Sequence, residues 1–273
     1  MAYIEQIISI VETLSPPRYS QLWQQADGSY DNTGLILGGS GETGTVLVCL
    51  DLSDPVLDEA RELGAGMILT HHPAIYRGVR TLNDRSAGGR LLQRAVRMGL
   101  TVYSAHLSLD AAPQGLNAWF AGQCGLREAR PLKQLEEGGF LYLGEVGPMP
   151  AGSYAEQLSA AFGCPVRRSA CEGQVSRVAV LNGGGGSLEF VHLCLEAGAD
   201  GFVSGDFAHH VFLEAVREDL AVFEIDHYHA EQTFVQTWTE RLNALAGAGG
   251  AKVTFLKSQQ ERCPHLLCGG ERR

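Results

Sequence analysis

The 273-residue sequence predicts an α/β fold, in which strands alternate with helices along the chain. Short apolar runs at residues 45–50 and 67–70 have the length of buried strands. Residues 54–63 between them begin with an Asp that can cap a helix. A helix at 87–98 and a strand at 101–105 continue the alternation. Repeated βαβ units of this kind are typical of a doubly wound sheet.

The first and last elements of the chain are simple to predict. Apolar residues within 4–14 follow helical spacing and stop before a Pro-Pro pair at 16–17, which ends the helix. The polar residues 24–32 predict a loop. Residues 252–256 predict a final strand before a tail rich in Gln, Glu and Gly.

The middle of the chain predicts a second α/β unit. Apolar stretches on both sides of Glu136-Glu137-Gly138-Gly139 predict a hairpin or edge region that opens this unit. The unit continues with a helix at 154–162, a strand at 177–181, a helix at 188–197 and a strand at 201–204. The chain can therefore form one large or two medium domains.

Composition disfavours several classes of protein. The net charge is −10, from 21 Lys and Arg against 31 Asp and Glu, which disfavours binding to a nucleic-acid backbone. No apolar run approaches the roughly 20 residues that span a bilayer, and no export signal is present at the start. Seven cysteines without a Cys-x-x-Cys pair fit a reducing compartment. We therefore expect a soluble, cytoplasmic protein without a membrane partner.

Two of the cysteines lie in the tail, in the segment Cys263-Pro264-His265-Leu266-Leu267-Cys268. This segment could bind a metal, but incidental thiols are the simpler interpretation.

Five potential metal ligands follow three strand-like segments. His71 and His72 end one predicted strand, and Asp110 comes shortly after the next. His227 and Glu231 follow a third apolar run, and their four-residue spacing puts both on one face of a helix. Ligands of open α/β sheets bind at the carboxyl ends of strands, so we expect these side chains to form one site.

Three histidines and two carboxylates are more than one catalytic zinc takes, since such a zinc usually keeps three protein ligands and an open position. They suit two metals roughly 3.5–4 Å apart that share a carboxylate. A lone His-His pair or a helical His-x-x-x-Glu is usually solvated or structural, so the prediction depends on all three segments together. Such ligands accept Zn, Mn, Fe, Co or Ni, which leaves the two divalent ions unidentified.

Two further features follow strands of the second unit. The glycine loop at residues 183–187 could hold an anion at a helix N-terminus, but a plain turn explains it equally well. Asp206 either faces the metal site across a cleft or caps the helix that follows.

The motifs occur in the order Asp31-Asn32-Thr33-Gly34-Leu35, Thr70-His71-His72-Pro73, His106-Leu107-Ser108-Leu109-Asp110, Gly205-Asp206 with His210, and His227-Tyr228-His229-Ala230-Glu231. Together they resemble the GTP cyclohydrolase I type 2 homologue family, the Nif-three-like dinuclear-metal proteins. The resemblance implies two similar α/β lobes with mixed sheets flanked by helices, and a ring-shaped hexamer in many members. We expect a metal-ligand lobe of residues 1–130 plus 220–273 and a second lobe of residues 131–219.

The same resemblance implies a set of metal ligands, with a bridging role for Glu231 and a position beside the metals or in proton transfer for His106. The implied ligands are His71, His72, Asp110, His227 and Glu231. Two residues depart from the family pattern. Tyr30 stands where a tryptophan is usual, and Asp226 replaces a glycine, where it could orient an imidazole or repel anionic substrates.

Our leading hypothesis from the sequence is a metal-dependent hydrolase of a nucleotide-like or heterocyclic small molecule, with GTP suggested by the family name. Two ions would activate a water, and His106 or His210 would transfer a proton. The alternative is a non-catalytic, metal-dependent ring scaffold that binds a protein, because one fold and metal site support many functions. Threading of nucleic acid through the ring is disfavoured by the acidic charge.

Overall fold

The computed structural model describes residues 1–266, which contain ten helices and thirteen strands. In chain order the helices α1 to α10 are Ile4–Leu14, Pro17–Asp27, Asp54–Glu62, Ala87–Arg97, Leu107–Asp110, Leu116–Gln123, Ala151–Phe162, Leu188–Glu196, His209–Arg217 and His227–Ala248. The strands β1 to β13 are Ala2–Tyr3, Gly34–Leu37, Glu42–Thr43, Thr45–Cys49, Met67–Thr70, Thr101–Ser104, Arg127–Leu135, Gly138–Pro150, Arg167–Arg168, Gln174–Val180, Gly201–Ser204, Ala221–Glu224 and Thr254–Lys257.

The first sheet has the strand order β13-β4-β5-β6-β2, in which only the edge strand β2 is antiparallel to its neighbour. Its central strands are buried on both faces, which explains their continuous apolar sequences. Residues of α1 and α10 cover one face, and residues of α3 and α4 cover the other. The first lobe is therefore a three-layer α/β structure.

The second sheet has the order β7-β8-β10-β11-β12-β9. Strands β10, β11 and β12 are parallel, whereas β7, β8 and β9 pair antiparallel. Helices α6 and α7 pack on one face, and α2, α8 and α9 pack on the other. The prediction of an α/β fold with mixed sheets flanked by helices is confirmed.

Two predicted boundaries differ from the structure. Helix α2 continues to Asp27 and ends at Gly28 with a φ of 72°, so the predicted loop at 24–32 begins too early. Its polar residues face solvent, while Tyr19 and Trp23 hold the other face in the core. Strand β12, which we expected in the metal-ligand lobe, is part of the second sheet because it pairs parallel to β11.

The two sheets direct the carboxyl ends of their parallel strands toward a shared region. The predicted ligand segments follow β5, β6 and β12, so both sheets contribute to it. Helix α10 begins after β12 and then packs into the core of the first lobe through Phe234, Trp238 and Leu242. Among residues 1–266, no helix is long and apolar enough to cross a membrane.

Candidate metal centre

The predicted ligands converge on the carboxylate of Glu231. Its Oε1 lies 3.6 Å from His71 Nε2 and 3.2 Å from His227 Nε2. Its Oε2 lies 2.9 Å from His72 Nε2. Asp110 joins from the other side, with Oδ1 3.7 Å from His71 Nε2. The structure therefore brings together all five residues that the sequence nominated as ligands, and their role as ligands stays a prediction.

A fixed hydrogen bond on Nδ1 orients each imidazole at this centre. His71 Nδ1 lies 2.9 Å from the carbonyl oxygen of Ala105, and His72 Nδ1 lies 3.0 Å from Asp51 Oδ1. In the second lobe, His227 Nδ1 lies 2.7 Å from Asp206 Oδ2. These acceptors require Nδ1 to carry the proton, so the neutral ring presents the lone pair of Nε2 to the centre. Metal-binding histidines in proteins have the same arrangement.

Several atoms at the centre are buried without a hydrogen-bond partner in the protein. They are His71 Nε2, Asp110 Oδ1 and Asn182 Oδ1. Buried polar atoms almost always have a partner, because an unsatisfied one costs about 1–3 kcal/mol. The first two belong to predicted ligands, and their nitrogen and oxygen atoms are suitable donors for a divalent cation.

The charges at the centre favour a cation. Burial opposes charge on His72, but the hydrogen bond to Asp51 and the carboxylate of Glu231 outweigh it and raise the pKa of His72 to about 10. Burial is likewise outweighed at His227, where Asp206 and Glu231 raise the pKa to about 11. Burial alone would raise the pKa of Glu231, yet the histidines hold it well below its usual value. Protons or metal ions can supply the positive charge that these carboxylates need.

Two groups of ligand atoms are close enough together to hold a metal ion. One group contains His71, His72 and His106, and the other contains His72, His227 and Glu231, with the ligand atoms of each group within 4.8 Å of one another. The groups share His72 and lie side by side. The geometry therefore provides groups that could hold a metal ion, and it adds His106 to the candidate ligands.

His106 is the N-cap residue of α5. Of the two predicted catalytic histidines, it is the one that buried hydrogen bonds hold in place. Its Nδ1 lies 2.7 Å from Oδ1 of the buried Asp31, whose Oδ2 accepts a hydrogen bond of 2.6 Å from Ser20 Oγ. Burial would raise the pKa of Asp31, but hydrogen bonds from His106 and Ser20 lower it below its usual value. The carboxylate therefore stays charged and fixes the orientation of the His106 ring.

His210 lies apart from this arrangement. It is exposed in the first turn of α9 and belongs to none of the metal-ligand groups found within residues 1–266. It also lines neither of the two cavities that border His227. Its proposed role in proton transfer stays a prediction without a contact to the centre.

The glycine loop packs directly against the centre. A Cβ on Gly183 would lie 2.8 Å from Glu231 Oε1, and the φ of Gly183 is +68°, a value that favours glycine. The N–H groups of Gly185, Gly186 and Ser187 donate to carbonyl groups within the protein. These three groups are therefore engaged and do not provide the anion cradle that the sequence suggested as one alternative.

A cavity of about 290 Å³ opens beside the centre. Its lining includes the polar side chains of His106, Asp110, His227 and Glu231 and the aromatic side chains of Trp23, Phe140 and Phe190. Asp206 does not cap α9, whose N-cap is Ala208. It orients His227 instead, and this decides between the two alternatives for Asp206.

The family profile of Duf34/NIF3 (NGG1p interacting factor 3) matches residues 2–264. The chain belongs to the Duf34/NIF3 family. The resemblance found in the motifs is thereby confirmed.

Curated relatives of this Duf34/NIF3 chain carry the name GTP cyclohydrolase 1 type 2 homolog. The protein of Clostridium perfringens is 24% identical over 268 residues, which cover 96% of this chain and 98% of the relative. The protein of Streptomyces coelicolor is 29% identical over 263 residues, which cover 92% and 89%.

Solved structures share the fold. A Bacillus cereus protein related to NIF3 superposes with a TM-score of 0.85 at 19% identity, covering 97% of this chain and 99% of that one. A Staphylococcus aureus hypothetical protein gives a TM-score of 0.86 at 21% identity, covering 98% and 99%. At these identities the likeness concerns the fold alone.

The structure adds residues to the Duf34/NIF3 centre that sequence reasoning missed. Asp51 follows β4 and holds His72, and its position at a strand end was the available signal. Asn182 follows β10 and donates from Nδ2 to Glu231 Oε1 at 3.0 Å. Its backbone N–H donates to Asn117 Oδ1, and Asn117 Nδ2 donates to the carbonyl of Asp110. This amide network links two of the predicted ligands.

The structure gives the contacts of the two residues that depart from the family pattern. Tyr30 is half exposed and meets Tyr76 edge to face, with ring centroids 5.8 Å apart. Asp226 accepts a hydrogen bond of 2.5 Å from His229 Nδ1. It therefore orients an imidazole, as expected, but the imidazole is that of His229.

Proposed function

We propose that this Duf34/NIF3 protein binds two divalent metal ions and hydrolyses a nucleotide-like or heterocyclic small molecule. His71, His72, Asp110, His227 and Glu231 would hold the ions, with Glu231 between them. Two such ions lower the pKa of a shared water enough to make it a nucleophile near neutral pH. The name GTP cyclohydrolase 1 type 2 homolog, carried by the relatives, suggests a nucleotide as the substrate class.

The observation that carries the proposal is the common orientation of the imidazoles. Three Nε2 atoms lie within 3.6 Å of one carboxylate, while every Nδ1 is occupied by a fixed acceptor. A structural salt-bridge cluster would pair these groups fully. This cluster leaves His71 Nε2 and Asp110 Oδ1 without a hydrogen bond, although both are buried.

Several side chains can position a substrate and move a proton. His106 lines the cavity, and its hydrogen bond to Asp31 leaves Nε2 as the atom that can exchange a proton with a bound molecule. Trp23, Phe140 and Phe190 provide an apolar wall on which a heterocycle can pack. A cavity of about 290 Å³ is small for a ligand site, so the phosphates of a whole nucleotide would extend out of its mouth.

Elemental analysis tests the metal part of the proposal. Protein purified without chelator or affinity metal should contain about two metal ions per chain, and Glu231→Gln should lose most of them. Glu240→Gln serves as a matched control, since it makes the same change at an exposed position of the same helix, outside the predicted ligand set. The absence of metal from the natural chain, even after reloading, would refute the two-metal mechanism.

Turnover of nucleotides by the metal-loaded protein tests the hydrolase part. The variant His106→Gln should keep its metal and lose turnover if His106 transfers a proton. Loss of metal from this variant would instead make His106 a ligand of the group that it forms with His71 and His72. Metal binding without turnover of any nucleotide would favour a scaffold that binds a protein partner.

We also propose a ring-shaped homohexamer, as the family resemblance implies. Light scattering coupled to size-exclusion chromatography should give a mass near six times 29.4 kDa. A monomer or dimer at micromolar concentration would refute this assembly.

A further inference from the structure

A second cluster of side chains that could hold a metal ion lies where the tail meets the beginning of α10. Asp226 is the N-cap of α10, and Cys263 and His265 belong to the tail that follows β13. One ligand atom of each residue lies within 4.8 Å of the other two. The Sγ of Cys263 is 3.9 Å from His265 Nδ1, and His265 Nε2 contacts Asp226 Oδ2.

The tail is anchored to the first lobe just before this cluster. Ser258 Oγ donates to Glu59 Oε2 at 2.5 Å, and the N–H of Gln259 donates to Glu59 Oε1 at 2.9 Å. Glu261 Oε1 accepts from the N–H groups of Leu50 and Asp51 at 2.6 and 2.8 Å. These contacts fix the chain two residues before Cys263.

Asp226 is equally well fixed. Its Oδ1 accepts from the backbone N–H of His229 at 3.2 Å and lies 2.5 Å from His229 Nδ1. Its Oδ2 is left to face the tail, and the side chain is 14% exposed. The carboxylate is therefore held by α10, with one oxygen directed toward Cys263 and His265. A solvated carboxylate on the surface is not fixed in this way.

The chemistry of the cluster differs from that of the centre around Glu231. A thiolate, an imidazole and a carboxylate form a ligand set that zinc accepts, with a fourth position open to water. The nominated ligands of the centre contain nitrogen and oxygen only. Sulfur is therefore a signature that separates the two places in one protein.

We propose that Asp226, Cys263 and His265 form a separate site that binds one zinc-like divalent ion. The tail sequence alone does not indicate Asp226 as a partner of Cys263 and His265. This carboxylate lies 37 residues before the thiol and stands where the family usually has glycine. The tail thiol and imidazole are thus paired with a residue of α10. The other tail cysteine, Cys268, lies outside the described residues.

Titration of the reduced, metal-free full-length protein with Co²⁺ tests the proposal, because a thiolate ligand gives a charge-transfer band in the near ultraviolet. The band should saturate with one ion per chain. Cys263→Ser should abolish the band. In His265→Ala and Asp226→Asn, the Co²⁺ affinity measured from the rise of the band should fall on the order of 10-fold or more. Glu231→Gln should leave the band in place.

Cys171→Ser is the matched control, since Cys171 is buried and donates to the carbonyl of Leu220. It should keep the full band. Absence of a band from the natural chain, or its persistence in Cys263→Ser, would overturn the proposal. An undiminished affinity of both His265→Ala and Asp226→Asn would overturn it as well. Because Glu231→Gln is read separately, failure of this site is distinguishable from failure of the proposed centre.

Discussion

Metal binding at the centre should release at least about two protons per chain near pH 7, since the pKa of His71 is raised as well as those of His72 and His227. In the metal-free protein, the pKa of His72 is raised to about 10 and that of His227 to about 11, in both cases because carboxylates outweigh burial. Both rings are therefore charged at neutral pH. A metal ion binds only the neutral imidazole, so each ring must give up its proton when the site fills.

The magnitude follows from these pKa values. At pH 7 a group with a pKa of about 10 is about 99.9% protonated, so His72 and His227 together release close to two protons. Each released proton makes the apparent affinity rise about tenfold per pH unit, which gives about 100-fold for both. The raised pKa values also stabilise the metal-free fold. This contribution is complete below about pH 6.5 and is lost as the pH rises through about 10 to 11.

Isothermal titration of the metal-free protein measures the proton count. At one pH, the observed enthalpy is plotted against the ionisation enthalpy of several buffers, and the slope gives the protons released. Asp206→Asn should release fewer, because the Asp206 carboxylate is one cause of the raised pKa of His227. A slope below one proton per chain, or an affinity that does not change between pH 6.5 and 7.5, would refute the reasoning.

Three substitutions test other parts of the structure. Asp206→Asn removes the charge that orients His227 and should weaken metal binding about 10–100-fold in a calorimetric titration. Gly183→Ala adds a Cβ 2.8 Å from Glu231 Oε1 at a φ of +68°, and it should lower the free energy of unfolding by about 1–3 kcal/mol and reduce the bound metal. Trp238→Ala empties a fully buried position and should cost about 3–5 kcal/mol in urea unfolding.

Each substitution has a matched control. Asp219→Asn alters an exposed carboxylate and should leave metal affinity unchanged. Gly147→Ala adds a Cβ with no atom within 4 Å and should be nearly neutral. Leu213→Ala truncates a side chain that is 45% exposed and should cost less than about 1 kcal/mol. A substitution that behaves like its control would contradict the corresponding interpretation.

The sequence predicts the buried elements best. Strands β5 and β11 and helix α1 begin and end where their apolar patterns do, because their burial determines which residues can occupy them. Strand β7 begins at Arg127, well before the apolar stretch that precedes Glu136. Its first residues, from Arg127 to Arg130, are exposed at the edge of the sheet, so no alternation of polar and apolar residues marks them.

The candidate site is predicted by a similar rule. Strand ends of an α/β sheet meet, so ligands at three strand ends could be grouped without coordinates. The orienting carboxylate Asp51 is a single acidic residue after a strand, and its contact to His72 exists only in the folded chain. His210 shows the opposite case, since its place in a motif does not bring it to the centre.

Helix α10 connects the centre to the cores of both lobes. Ala230 packs in the core of the second lobe, whereas Phe234 and the residues that follow pack in the first, so Glu231 lies where the helix passes from one lobe to the other. A rigid-body rotation between the lobes would alter the distances from Glu231 to His71 and His72. Any such rotation would couple the occupancy of the centre by metal to the angle between the lobes. A partner that fixes that angle would then change the metal affinity, and the metal would change the affinity for that partner by the same factor.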